Sequence, residues 1–166
     1  MKKAIIALLF IVLLASLTGC QKTLRGTDAL IERAREELSS ADADTIELQY
    51  AGLCSRDDDA LIWFISGNEY QAHTYLPMEC AIVGENEYTY THTYSPMERG
   101  MDIAVVEWKG GYCFLVNNEK CCTIRITDNT GTRDENIEKD AYPYIFYNNL
   151  IPSEYLFLDA EGNEVP

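Results

Sequence analysis

The spacing of apolar residues changes character twice along the chain. From Ala4 to Ala15 every residue is apolar. In "TDALIERAREELSSAD" the apolar positions Leu30, Ile31, Ala34 and Leu38 recur at helical spacing. This predicts one amphipathic helix of about three turns with Thr27 or Asp28 as its N-cap. From Thr45 onward, short β-branched and aromatic runs alternate with turn residues. The runs "TIELQYAGLC", "ALIWFIS", "EYQAHTYL", "ECAIV", "EYTYTHTY", "DIAVVEW", "YCFLV" and "CCTIRIT" read as strands. Gly67-Asn68, Gly84-Glu85-Asn86, Lys109-Gly110-Gly111 and Asn117 to Lys120 are hairpin-length connections.

The predicted fold is therefore α+β, with the N-terminal helix covering one face of a curved antiparallel meander of about six to eight strands. Within that frame Asp128 to Asp140 reads as a loop or frayed helix. "YPYIFYNNL" reads as a strand or short helix weakened by Pro143, and "EYLFLDAEGNEV" as a closing hairpin.

Lys2 and Lys3 precede the first apolar run, and "SLTGC" ends it. A charged start, a short apolar centre and small residues make a secretory leader, too short for a spanning helix. Leu17-Thr18-Gly19-Cys20 resembles the lipobox of bacterial lipoprotein precursors at every position. The resemblance implies that Cys20 is lipidated and becomes the first residue of the mature chain. Acyl chains there imply anchoring to the membrane rather than spanning of it. It also implies three segments: a cleaved leader over 1–19, a lipidated tether over 20–26 and a single extracytoplasmic domain over 27–166. Gln21 stands where an aspartate resembles an inner-membrane retention signal, which permits outer-membrane sorting in a two-membrane host and carries no meaning in a one-membrane host, so the anchor is expected in the cell membrane or the outer membrane.

Charge narrows the partners. The chain carries 27 Asp and Glu against 13 Lys and Arg, a formal −14, and two of those lysines belong to the leader. Such an acidic body repels phosphate backbones and anionic headgroups, which excludes nucleic acid and leaves the anchor as the lipid contact. An envelope protein or wall component fits as a partner.

Eleven tyrosines are present, and strand alternation places Tyr88, Tyr90 and Tyr94 on one face with His92. That stripe is the candidate binding surface, able to stack on a sugar or grip a peptide. The only two histidines open a repeat, "HTYLPME" from His73 and "HTYSPME" from His92. Imidazole and thioether together suit an envelope metal such as copper, with His73, His92, Met78 and Met97 as ligands. Register counted through Gly84 sets Met78 opposite His92 and His73 opposite Met97. The histidines then lie on the order of 16 Å apart, so no single ion joins them. Pro77 and Pro96 instead predict two strand ends.

Cys54, Cys80, Cys113, Cys121 and Cys122 are an odd set, and no CxxC occurs. Cys113 is offset from the vicinal pair and Cys121 and Cys122 point to opposite faces. Cys54 with Cys80 is the one pairing considered, and free buried thiols are the expectation. There is no GxSxG and no HExxH, so a hydrolase would need residues assembled in space. Acidic turns around Asp57 and Asp128 lack the EF-hand spacing. The expectation is a lipid-anchored envelope lipoprotein with a non-catalytic binding module and no cofactor. Metal binding and an uncharacterised hydrolase are the alternatives.

Overall fold

A computed structural model describes residues 22–38, 47–67, 73–98 and 102–165. The leader, the lipobox and Cys20 lie outside the described residues. The element order is β1 (Thr23–Arg25), α1 (Gly26–Glu36), β2 (Leu48–Arg56), β3 (Asp59–Ser66), β4 (Thr74–Gly84), β5 (Glu87–Thr93), β6 (Met97–Glu98), β7 (Ile103–Trp108), β8 (Gly111–Val116), β9 (Thr123–Asp128), β10 (Gly131–Asn136), β11 (Tyr144–Asn148) and β12 (Glu154–Leu158).

These strands form three antiparallel sheets, not one meander. The first runs β1-β5-β4-β3-β2, with β6 also paired to β4; the second is β11-β8-β7 and the third β10-β9-β12. The α+β expectation is thereby overturned: the described chain is mostly β, 58% strand against 9% helix, with one helix. The physical reason lies in β3 and β8. Ala60 to Phe64 and Cys113 to Val116 are buried at every position, so both faces of each strand require cover, and a single sheet under one helix covers only one.

Three apolar cores follow in sequence. Leu30 and Ala34 of α1 meet Ile62, Phe64, Leu76, Met78 and Cys80 on one face of the first sheet. Leu61, Trp63 and Tyr75 on its other face meet Ala104, Val106, Trp108, Cys113 and Leu115 of the second sheet. Phe114 and Val116, on the far side of β8, meet Ile124, Ile126 and Phe157 of the third. Alternation along β3 and β8 thus welds the layers together.

Several local expectations change. Thr23–Arg25, read as tether, pairs with β5, and the helix begins at Gly26 with Arg25, not Thr27 or Asp28, at its N-cap. Asn117 to Lys120 leads from β8 into a different sheet and is not a hairpin turn. The acidic stretch after Asp128 holds β10, which pairs residue for residue with β9. Pro77 lies inside the eleven-residue β4, not at a strand end. Its carbonyl accepts from Tyr94 N at 3.0 Å. A strand residue's N–H and C=O point to the same side, so the donor that proline lacks faces the gap between β5 and β6, where no ladder bond is lost.

Two bulges decide which side chains meet. In β2 the register shifts between Tyr50 and Gly52, where Gly52 takes φ 136°. A Cβ there would lie 2.9 Å from Ile145 of β11, so glycine admits both the backbone and the close approach of the second sheet. In the β4–β5 pair Cys80 faces Tyr90 while Glu79 faces His92, leaving Thr91 as the extra residue.

Candidate functional site

The Thr91 bulge splits the expected tyrosine stripe. Tyr88 and Tyr90 turn toward α1, where Tyr88 is buried and the Arg33 guanidinium sits 3.7 Å from the Tyr90 ring centroid. Tyr94 joins the core between the first and second sheets. One inserted residue flips the side-chain parity of everything after it, so the three tyrosines do not form one surface.

The same shift separates the expected metal ligands. His92 faces Glu79, not Met78, and Met78 is fully buried against the helix. Met97 faces Tyr75, not His73. Glu79, which faces His92, lies six positions along the chain from His73, on the order of 20 Å, so the two imidazoles serve different neighbourhoods. Among the described residues no three His, Cys, Asp or Glu side chains gather into a cluster able to hold a metal ion.

Each "HTY" does something else. Residues i and i+2 share a strand face, and in both copies the tyrosine gives its hydroxyl to a carboxylate. Tyr94 donates to Glu79 at 3.2 Å, and the His92 ring meets Tyr94 edge-on at 4.9 Å. Tyr75 donates to Asp102 Oδ1 at 2.7 Å, and His73 Nδ1 lies 2.9 Å from the same oxygen. The glutamate that receives Tyr94 is the last residue of the first motif copy, so the repeat knits itself across β4 and β5.

Around Glu79 the charges are matched. Lys109 Nζ lies 2.7 Å from Asp59 and 3.1 Å from Glu79. These two carboxylates raise the lysine to about 12, and burial with the neighbouring Glu79 charge pushes the Tyr94 phenol up to about 12. Arg56 bonds the Lys109 carbonyl and donates to Tyr147 OH at 2.5 Å. The arrangement ties the β7–β8 turn to β3 and β4. It is a structural clamp whose polar groups answer one another.

The Asp102 centre differs because it borders open space. Asp102 adopts φ 54° immediately before β7, and its carbonyl accepts from Asn117 N at 2.8 Å. Tyr75 is fully buried, and that burial, with the bond to Asp102, drives its phenol well above the usual range. A cleft of about 270 Å³ opens beside it, lined by Gln49, Tyr50, Ala51, Ile65, His73 and Asn117 among others. With Nδ1 on the carboxylate, a neutral His73 ring carries its proton there and makes Nε2 the acceptor, in a fixed orientation. An exposed amide, a half-buried amide and an oriented imidazole are polar groups of the kind that position small polar ligands.

Sequence reasoning singled out His73 but missed Tyr75, Asp102, Gln49, Tyr50 and Asn117. The His73-Tyr75 alternation was visible. Their acceptor is not, since Asp102 lies 29 residues downstream and belongs to the second sheet's approach. No family model matches the chain, and no curated protein or solved structure is similar to it.

Proposed function

We propose that this chain is a lipid-anchored envelope protein whose β-domain is a non-catalytic binding module, with the His73 cleft as its ligand site. The observation that carries the reading is the short apolar leader ending in Leu17-Thr18-Gly19-Cys20. Acylation at Cys20 puts the domain at the membrane face, because only Gln21 and Lys22 separate that residue from β1. Such a link reaches roughly 10 Å, so the domain sits against the headgroups and its ligand comes from the surrounding envelope.

The cleft suggests the class of ligand. Gln49, His73 and Asn117 offer hydrogen-bond donors and acceptors. A molecule bearing hydroxyl and amide groups, as wall saccharides and peptides do, fits this lining better than an anion, which the acidic body repels. Metabolic labelling with an alkyne fatty acid tests the anchor. The wild-type protein takes up the label and Cys20→Ala does not; labelling that survives Cys20→Ala overturns the reading.

A further inference from the structure

We propose that Cys54 and Cys113 form a disulfide that staples the first sheet to the second. Cys54 lies on β2 and Cys113 on β8, and their Sγ atoms are 2.8 Å apart in the core between the two sheets. Carbon atoms in van der Waals contact sit ~3.5–4.0 Å apart and sulfur is larger, so this pair is already closer than non-bonded packing places two thiols. Closing to a bond of ~2.05 Å needs a shift of less than an ångström. Trp63 Nε1, on the strand beside β2, donates to Cys113 Sγ at 3.2 Å and holds that thiol in the facing rotamer.

The other cysteines point elsewhere. Cys80 packs on the helix-facing side of the first sheet, because its partner Ala60 and the Cys54 partner Leu61 are adjacent on β3 and so face opposite ways. That rules out the Cys54–Cys80 pairing considered from the sequence. Cys121 turns its thiol to the Thr123 carbonyl and Cys122 to that of Lys120. An odd number of domain cysteines is accommodated by one bridge and three thiols.

The oxidant is a disulfide-bearing molecule, either an oxidised dithiol protein of the envelope or oxidised glutathione. Cys54, the less deeply buried of the two, attacks one sulfur of that disulfide as a thiolate, forming a mixed disulfide and expelling one thiolate. Cys113 gives up its proton and attacks Cys54 Sγ; the Cys54–Cys113 bond forms and the second oxidant sulfur leaves. The protein loses two electrons and two protons, and the oxidant becomes two thiols. Burial and the apolar surroundings push the Cys113 thiol well up, which makes the second step the slow one. Persistence of the bond rests on the extracytoplasmic placement proposed above, since the cytosol keeps thiols reduced. Its geometry does not depend on that placement.

The test uses the full chain purified from membranes, treated with oxidised glutathione, alkylated after denaturation and digested without reduction. A cross-linked peptide joining Cys54 to Cys113 is expected, with alkylation at Cys80, Cys121 and Cys122. Dithiothreitol should lower the wild-type melting temperature on the order of 10 °C, and Cys54→Ala should lose both the cross-link and that sensitivity. Alkylation of both Cys54 and Cys113, a stable glutathione adduct on Cys54, or a different pairing overturns the proposal. If Cys54→Ala does not fold, the wild-type peptide map decides alone. The N-terminal peptide of the same digest reports whether Cys20 carries lipid, so failure of the anchor and failure of the staple are read separately.

Discussion

One oxygen of Asp102 receives both the Tyr75 hydroxyl and the His73 ring, and that convergence fixes the wall of the cleft. Tyr75 is fully buried, so removing Asp102 takes away the acceptor of its hydroxyl. Asp102→Ala should therefore cost about 1–3 kcal/mol, increased by the strain of alanine at φ 54°. Asparagine keeps an acceptor and tolerates a left-handed backbone, so Asp102→Asn should cost less than half as much. Urea denaturation of the two variants checks the order, and equal losses would show that the Tyr75 bond is not what Asp102 provides. Asp128 makes a second residue-scale case. The Thr130 hydroxyl, the Arg133 guanidinium and the Thr130 N–H hold its carboxyl at about 2, below the ordinary value of ~3.9. A depressed folded value stabilises the protein fully above the ordinary value, and the contribution disappears as pH falls from near 4 through 2. Asp128→Asn should thus melt lower than wild type at pH 7 and converge with it at pH 2.

At the scale of elements, the third sheet gathers this acid sensitivity. Asp134, lowered by Arg125, and Asp159, lowered by the Asn163 backbone N–H, sit on or beside it with Asp128. Amide exchange in β9, β10 and β12 should accelerate between pH 4 and 2 before exchange in β3 and β4 does. Uniform acceleration across all three sheets would contradict this. The second sheet has a steric weak point, because a Cβ on Gly111 would overlap the Asn148 carbonyl oxygen in β11. Gly111→Ala must push β11 away from β8 and should cost about 3 kcal/mol or more, visible as a large drop in melting temperature.

Elements are also where the sequence stops being readable. Short apolar runs and the Gly84 and Lys109 turns mark strands and hairpins, because those signals are local. Gly52 marks the bulge at Ala51, but the one at Thr91 carries no such mark: "EYTYTHTY" alternates cleanly, yet one unpaired residue sends Tyr90 and His92 to opposite faces. The division into three sheets was hidden for a related reason. Asn117 to Lys120 has hairpin length, and only the full burial of β8 against two partners turns it into a crossing. Asp102 and the Cys54–Cys113 approach join residues 29 and 59 positions apart, distances over which no periodicity carries information.

For the molecule as a whole, helix, first sheet, second sheet and third sheet share apolar cores pair by pair. The Lys109 clamp and the facing Cys54 and Cys113 thiols both join the first sheet to the second, as does the Asp102 contact that frames the cleft. A site built across two sheets holds its shape only while they stay registered, which gives these ties a role in presenting His73 and Asn117. The most direct test of ligand binding is photo-crosslinking on intact cells, with a photoreactive phenylalanine in place of exposed Gln49 in the cleft and, as control, in place of exposed Thr132 on β10. Binding at the cleft predicts an adduct from position 49 that disappears in the His73→Ala background and is absent from position 132. No adduct from position 49, or the same adducts from both positions, would contradict it.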